Sequence, residues 1–184
     1  MKKMLAEHSG KAAICFGVIA AVIYLAMINI TLGHIAAVSG QVPFDMRPMG
    51  YSPADADALL AGLGIDGRRY YLNYQIPFDM VYPAMLALTL ICTIHWFGHG
   101  MMHRKLARFA IMFSLVGALF DYVENIGIVA MIWMWSEVPA LLVLFVSSAT
   151  ILKSVFTTLA VFTTVFVGYE WMRDRKINLS TREV

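Results

Sequence analysis

The chain has 184 residues, 60% of them hydrophobic and 14% charged, with a formal net charge of +2 and a mean hydropathy of +0.70. A soluble domain is nearer half apolar and a quarter charged, and the excess here lies in long uninterrupted blocks, the signature of bilayer spans. So small a net charge, with no basic patch interleaved with aromatics, argues against a nucleic-acid partner. The composition points to a single polytopic membrane domain over 1–184 with little soluble mass.

The chain opens with MKKMLAEHSGKAAICFGVIAAVIYLAMINI. Its apolar stretch runs well past the 7–15 residues of a signal-peptide core, so it reads as a retained first span over about 12–36. Asn29, Thr31 and His34 lie toward its far end. Cys15 falls in this span and Cys92 in the next. Neither has a partner at metal-ligand spacing, and their depths differ, so both are expected to be buried, reduced packing thiols.

Segment 37–78 reads as a helical cap on the outer face. Ser52-Pro53-Ala54-Asp55 supplies an N-cap, a proline at the first helical position and an acid at the third. Leu59, Leu60 and Leu63 form an apolar stripe, and Gly64 is placed to close the helix. Asp66 then caps a second short helix bearing Arg68, Arg69, Tyr70, Tyr71 and Tyr74, a mixture suited to the headgroup zone. A small repeat occurs here, Val42-Pro43-Phe44-Asp45-Met46 and Ile76-Pro77-Phe78-Asp79-Met80. It reads as two turns at the membrane surface, the second opening a helix with Asp79 against the helix dipole.

Span two, about 79–101, carries Asp79 and Tyr82 at its start and His95, His99 and His103 at spacing four. Histidines so spaced share a helix face and can chelate zinc or haem iron. No carboxylate accompanies them, and they read as an interfacial stripe with Trp96. No metal site is expected and no cofactor is specified. The basic turn MHRKLAR leads to span three, about 107–135, and Ser136-Glu137-Val138-Pro139 joins that to span four, about 139–169. Ten of the Lys and Arg residues lie in the N-terminus, the 102–108 turn and the C-terminal tail, against three in 37–78. The positive-inside rule then places both termini in the cytoplasm, in a bacterium across the inner membrane. The fold class is an all-α, four-helix transmembrane bundle with a short helical extracytoplasmic cap.

The chemistry concentrates in span three. Asp121, Glu124 and Asn125 fall within about 100° of one helix face, at about 100° per residue. That face continues through Ala110, Ser114, Gly117 and Ala118, small residues that permit close helix approach. Asp121 and Lys153 each lie 14 residues from the short 135–139 connection, so antiparallel neighbours hold them at one depth. Lys153 sits on a polar stripe with Ser147, Thr150, Ser154 and Thr157. An ion pair between Asp121 and Lys153 is therefore expected, leaving one carboxyl over. A charge at the bilayer centre costs roughly 2.5–3.5 kcal/mol on insertion scales, so such residues usually mark sites or pathways. A divalent metal would suit Asp121, Glu124 and Asn125, but the adjacent ammonium opposes it.

The stretch GYSPADADALLAGLGIDGRRYYLNYQIPFDMVYP, followed by DYVEN and ILKSVFTT, resembles an uncharacterised family of small bacterial four-span integral membrane proteins over about 50–158. The resemblance implies where a site lies and nothing of its chemistry. HExxH, GxSxG, Walker A and GxGxxG motifs are all absent. The leading reading is a membrane-embedded enzyme acting by acid–base chemistry on a lipid-like or isoprenoid substrate, with Asp121, Glu124 and Lys153 as its catalytic groups. Asn125, Asp79, Tyr82, Arg68, Arg69, Asn29 and His34 would line a substrate pocket open to the outer face. The alternatives are an accessory subunit holding a lipid, quinone or pigment in a homo-oligomer or larger membrane complex, and a proton- or ion-translocating protein.

Overall fold

A computed structural model describes residues 2–97 and 104–180, with side chains over 8–97 and 105–173. Among the described residues there are helices and turns and no strand. The elements are α1 (Lys2–Ala26), a π-helical turn (Met27–Thr31), α2 (Leu32–Ser39), a 3-10 turn (Phe44–Met46), α3 (Pro53–Tyr70), a second π-helical turn (Tyr71–Gln75), α4 (Ile76–Phe97), α5 (Arg104–Trp133) and α6 (Ala140–Ser180). Four helical stretches, His8–Ser39, Pro53–Phe97, Lys105–Trp133 and Ala140–Arg173, are long and apolar enough to cross a membrane. The architecture is the expected all-α bundle.

Local chemistry sets the boundaries. Gly40, at φ 66°, ends α2 in a left-handed cap whose N–H donates to the Ala36 carbonyl at 2.9 Å. Ser52 and Asp55 form a reciprocal capping box at the start of α3, with Pro53 at the first helical position. Gly64 (φ 61°, ψ −172°) breaks α3 where the sequence places a stop. Arg68 then donates from Nη1 to the Leu60 carbonyl at 2.7 Å, one of the groups orphaned by that break.

The second span differs from the expected 79–101. Past the Gly64 break the helix runs on through the π-helical turn into α4. The second short helix is thus the upper end of a transmembrane rod rather than a separate cap on the surface. The charged residues of α3 (Asp55, Asp57, Asp66, Arg68 and Arg69) keep the apolar, spanning part in α4. His99, His103 and the start of the basic turn lie outside the described residues, and His95 is exposed on α4.

The α5–α6 pair packs most closely. A Cβ on Gly117 would lie 2.9 Å from Thr157 Oγ1 and 3.2 Å from its backbone nitrogen, so the small-residue face predicted for α5 does permit close contact. The apolar core gathers at the α3 end, where Phe44, Leu59, Leu60, Tyr71, Met131 and Val146 are completely buried. That layer roofs the polar residues beneath it. Both cysteines are free, and Cys15 is exposed on α1 rather than buried.

Candidate functional site

Beneath this roof α5 and α6 bring together the residues that the 14-residue offsets predict. Lys153 Nζ lies 3.2 Å from Asp121 Oδ1 and also pairs with Glu124 Oε2. One turn of helix places both acids within reach of a single ammonium, which balances the charge of only one of them. Glu124 and Thr150 are wholly buried, and the Thr150 hydroxyl donates to Glu124 Oε1 at 2.7 Å.

The carboxyls without a cation of their own belong to the repeated Pro-Phe-Asp-Met motif. Asp45, from the 3-10 turn, and Asp79, from the first turn of α4, bring their carboxyl groups together. Asp45 Oδ1 and Asp79 Oδ2 are buried with no N–H or hydroxyl donor. Two carboxyl groups in such contact hold a proton between them. The Tyr71 hydroxyl donates to the other oxygen of Asp45. Asp45 as a whole is partly exposed, but its Oδ1 is buried. Burial pushes that carboxyl up, yet the Asp79 hydrogen bond, the Lys153 charge and the Tyr71 hydroxyl together hold it below its ordinary value. The pair thus shares one proton between its two carboxyls.

Asn125 ties the two groups together. Pro83 has no N–H, so the Asp79 carbonyl four residues earlier loses its helical donor. Asn125 Nδ2 supplies the replacement, at 3.0 Å from Asp79 O, and also lies 3.4 Å from Asp121 Oδ1. Two acceptors around one end of the amide fix which end is nitrogen. Just before α4, one turn from Asp79 toward the α3 end, Gln75 is fully buried in the second π-helical turn and accepts the Thr31 hydroxyl from the first. Two π-helical turns facing each other beside buried acids fit the frequent occurrence of such bulges at functional sites.

Of the remaining expected residues, Tyr82 is within electrostatic reach of Asp79 and Asp121, and the others lie elsewhere. Asn29 is exposed and donates to its own helix at the Leu25 carbonyl, 2.8 Å away. His34 is exposed and stacks on Tyr70, with ring centroids 4.1 Å apart. Tyr82 stacks on Tyr24 at 5.6 Å, toward α1. Arg68 spans from Leu60 to the Trp135 ring, 5.4 Å from its centroid, and Arg69 is exposed. Among the described residues neither arginine pairs with a buried acid. The sequence reading leaves out Asp45, Tyr71 and Gln75. The motif repeat is the signal for Asp45, since its two copies meet.

The expected opening to the outer face is closed by Phe44 and Tyr71, both wholly buried, and by Tyr51. Two spaces approach the cluster from other directions. A cavity of about 10 Å³, bordered by Pro83, Ser114, Ala118, Asp121 and Thr157, lies on the far side of Asp121. That is the lower limit for one water. A groove of about 390 Å³ between α4 and α5 reaches Asn125 from the side. Among the described residues no group of His, Cys, Asp and Glu has a metal-binding arrangement. No family model matches the chain, and neither a curated protein nor a solved structure matches it.

Proposed function

We propose that the chain is a membrane-embedded enzyme that performs acid–base chemistry on a lipid-like or isoprenoid substrate. The observation that carries this reading is the Asp45–Asp79 pair, which holds a donor carboxyl and an acceptor carboxylate side by side in a water-poor site. A proton leaving Asp79 to substrate and one accepted by Asp45 are the two halves of an isomerisation or hydration. Lys153, held by Asp121 and Glu124, supplies a fixed positive field beside the pair. With both acids on its ammonium it is poorly suited to act as a nucleophile. Four carboxyls around one ammonium approach neutrality only by holding protons, which keeps exchangeable protons at the site. The charge pattern of the termini favours a cytoplasmic placement for both.

The test is turnover in D₂O. Wild-type protein and Asp79→Asn, each in nanodiscs, are incubated with a mixed extract of membrane and prenyl lipids and analysed by mass spectrometry. The expected result is consumption of a lipid species, or its deuteration, by the wild type and not by the variant, with equal thermal stability of the two. A wild-type protein that changes no lipid overturns the proposal. The water-sized cavity beside Asp121 favours a second reading, proton passage toward the Ser114 side. It requires proton flux in liposomes that Asp121→Asn abolishes.

A further inference from the structure

Two of the side chains that close the acids off from the outer face have different footings. Tyr71 belongs to the continuous helical rod that becomes α4, whereas Phe44 belongs to the 41–50 segment, whose regular structure is a single 3-10 turn. The backbone of that segment bonds to itself. Met46 N donates to Pro43 O at 3.2 Å, Arg47 N to Phe44 O at 3.1 Å and Gly50 N to Arg47 O at 2.8 Å, and Arg47 Nε closes on Val42 O at 3.0 Å. Among the described residues no backbone–backbone hydrogen bond ties 41–50 to the helices it covers. A compact loop satisfied from within can move as a unit without leaving backbone groups orphaned.

Its ends are anchored and its middle is latched. At one end Gln41 N donates to Ser39 Oγ at 3.1 Å, and at the other Tyr51 N donates to Ser147 Oγ at 2.8 Å. Beside these anchors Gly40 and Gly50 stand at φ 66° and 82°, where the chain changes direction sharply. Between them Val42, Met46 and Met49 are exposed, and Phe44 is wholly buried with its ring 4.7 Å from that of Tyr51 and 6.3 Å from that of Tyr71. Asp45 meets the Asp79 carboxyl and accepts the Tyr71 hydroxyl. The Arg47–Asp55 bridge is solvated and adds little hold. The contacts that fasten the middle of the segment are therefore those of the candidate site itself.

We propose that 41–50 is a lid on the carboxyl cluster, latched by Asp45 on Asp79 and Tyr71, which swings outward as a unit about its glycine-flanked ends and takes Asp45 with it. Access and chemistry are thereby coupled. The proton-sharing pair exists only with the lid shut, so closure both seals the site and assembles it. The lid stands on this geometry, and the passage of a substrate beneath it rests on the enzymatic reading.

Hydrogen exchange reads the opening of the segment, and a water-soluble carbodiimide with an added amine reads whether opening uncovers Asp79. Both are applied to the full-length protein in phosphatidylcholine nanodiscs and followed by mass spectrometry. Tyr71→Phe removes one bond of the latch and keeps the ring beside Phe44. The expected result is exchange in 41–50 roughly ten- to hundred-fold faster than in the wild type, the worth of one hydrogen bond to a charged group. Exchange in 117–128 should be unchanged, and labelling of Asp79 should rise with that of the lid amides. Asp79→Ala should speed exchange in 41–50 as well, whereas Asp79→Asn, which keeps a donor toward Asp45, should leave it near the wild-type rate. Exchange in 41–50 that ignores both Tyr71→Phe and Asp79→Ala, or that rises only together with 117–128, overturns the lid. So does faster exchange with no gain in Asp79 labelling. Failure of the enzymatic reading shows differently: the lid opens as described and no lipid is turned over.

Discussion

Two ion-paired sites in this protein have nearly the same geometry and opposite surroundings. In the turn before α3, Arg47 Nη1 lies 3.1 Å from Asp55 Oδ1, with the acid side chain 44% exposed. In the bundle, Lys153 Nζ lies 3.2 Å from Asp121 Oδ1, with both side chains near one-tenth exposed. Water solvates the first pair whether or not it forms, so it adds little to stability. For the second there is no comparable alternative to the partner. Removing one member strands a charge, at a cost of roughly 3–5 kcal/mol. Separation alone therefore says little about what a charge pair does. The surroundings decide whether it is an accessory of a turn or a condition for folding.

The largest effect should follow from Lys153→Met, which strands Asp121 and Glu124 together. The expected loss is at least the roughly 3–5 kcal/mol of a broken buried pair, read from thermal or denaturant unfolding in detergent. Adding Asp121→Asn alone should recover only part of it, because Glu124 stays stranded at 0% exposure. The triple variant that also carries Glu124→Gln should recover most of it. A double variant as stable as the triple would show that Lys153 serves Asp121 alone.

The carboxyl pair should respond asymmetrically. Asp79→Asn keeps a donor toward Asp45, so the fold should be nearly unchanged. Asp45→Ala removes the acceptor of both Asp79 and the buried Tyr71 hydroxyl. Its expected cost is about 1.5–3 kcal/mol, that of a hydrogen bond to a charged group. Equal losses for the two variants would contradict the role of Asp45 as the acceptor shared by Asp79 and Tyr71.

Packing of the α5–α6 seam comes next. A Cβ on Gly127 would overlap both methyl groups of Val146, a side chain stiff at χ1. Gly127→Ala should therefore cost about 1–3 kcal/mol by overpacking, and Gly127→Ala with Val146→Ala should cost less than the sum of its parts. Strict additivity would mean that the two helices separate freely, and would undercut the close approach that holds Lys153 against both acids.

Much of this was legible in the sequence, for reasons that also mark where legibility stops. A short connection with equal offsets on either side sets depth, so Asp121 and Lys153 follow from counting. Helical periodicity sets azimuth, so Glu124 and Asn125 follow from Asp121. Asn29 and His34 do not follow, because the π-helical turn at Met27–Thr31 inserts a residue and rotates the helical faces, leaving Thr31 to point inward in place of Asn29. Composition does not reveal such an insertion. Asp45 and Asp79 are 34 residues apart, and only the packing of the 44–46 turn onto α4 brings them into contact. The repeat named both residues without saying that they meet. Pro83 and Asn125 tell the same lesson, since the missing amide of one explains the side-chain bond of the other only once α4 and α5 are neighbours.

The smallest effect belongs to the exposed site. The Ser52 hydroxyl and the Ser52 N–H, then Arg47, hold the Asp55 carboxyl down to about 2, against an ordinary value of 3.8. Because the folded value is the lower one, the unfolded chain binds the proton more readily. The stabilisation is then complete above about 4 and is lost as pH falls through about 2. Asp55→Asn removes this dependence, so the gap in melting temperature between wild type and variant should be small, constant from pH 7 to about 5, and should close on the way to pH 2. Measuring the gap rather than either curve cancels the titration of the buried acids, which both proteins share. A gap that stayed open at pH 2 would mean that Asp55 acts through packing of the α3 start, and the contrast with Lys153 would no longer be one of solvation.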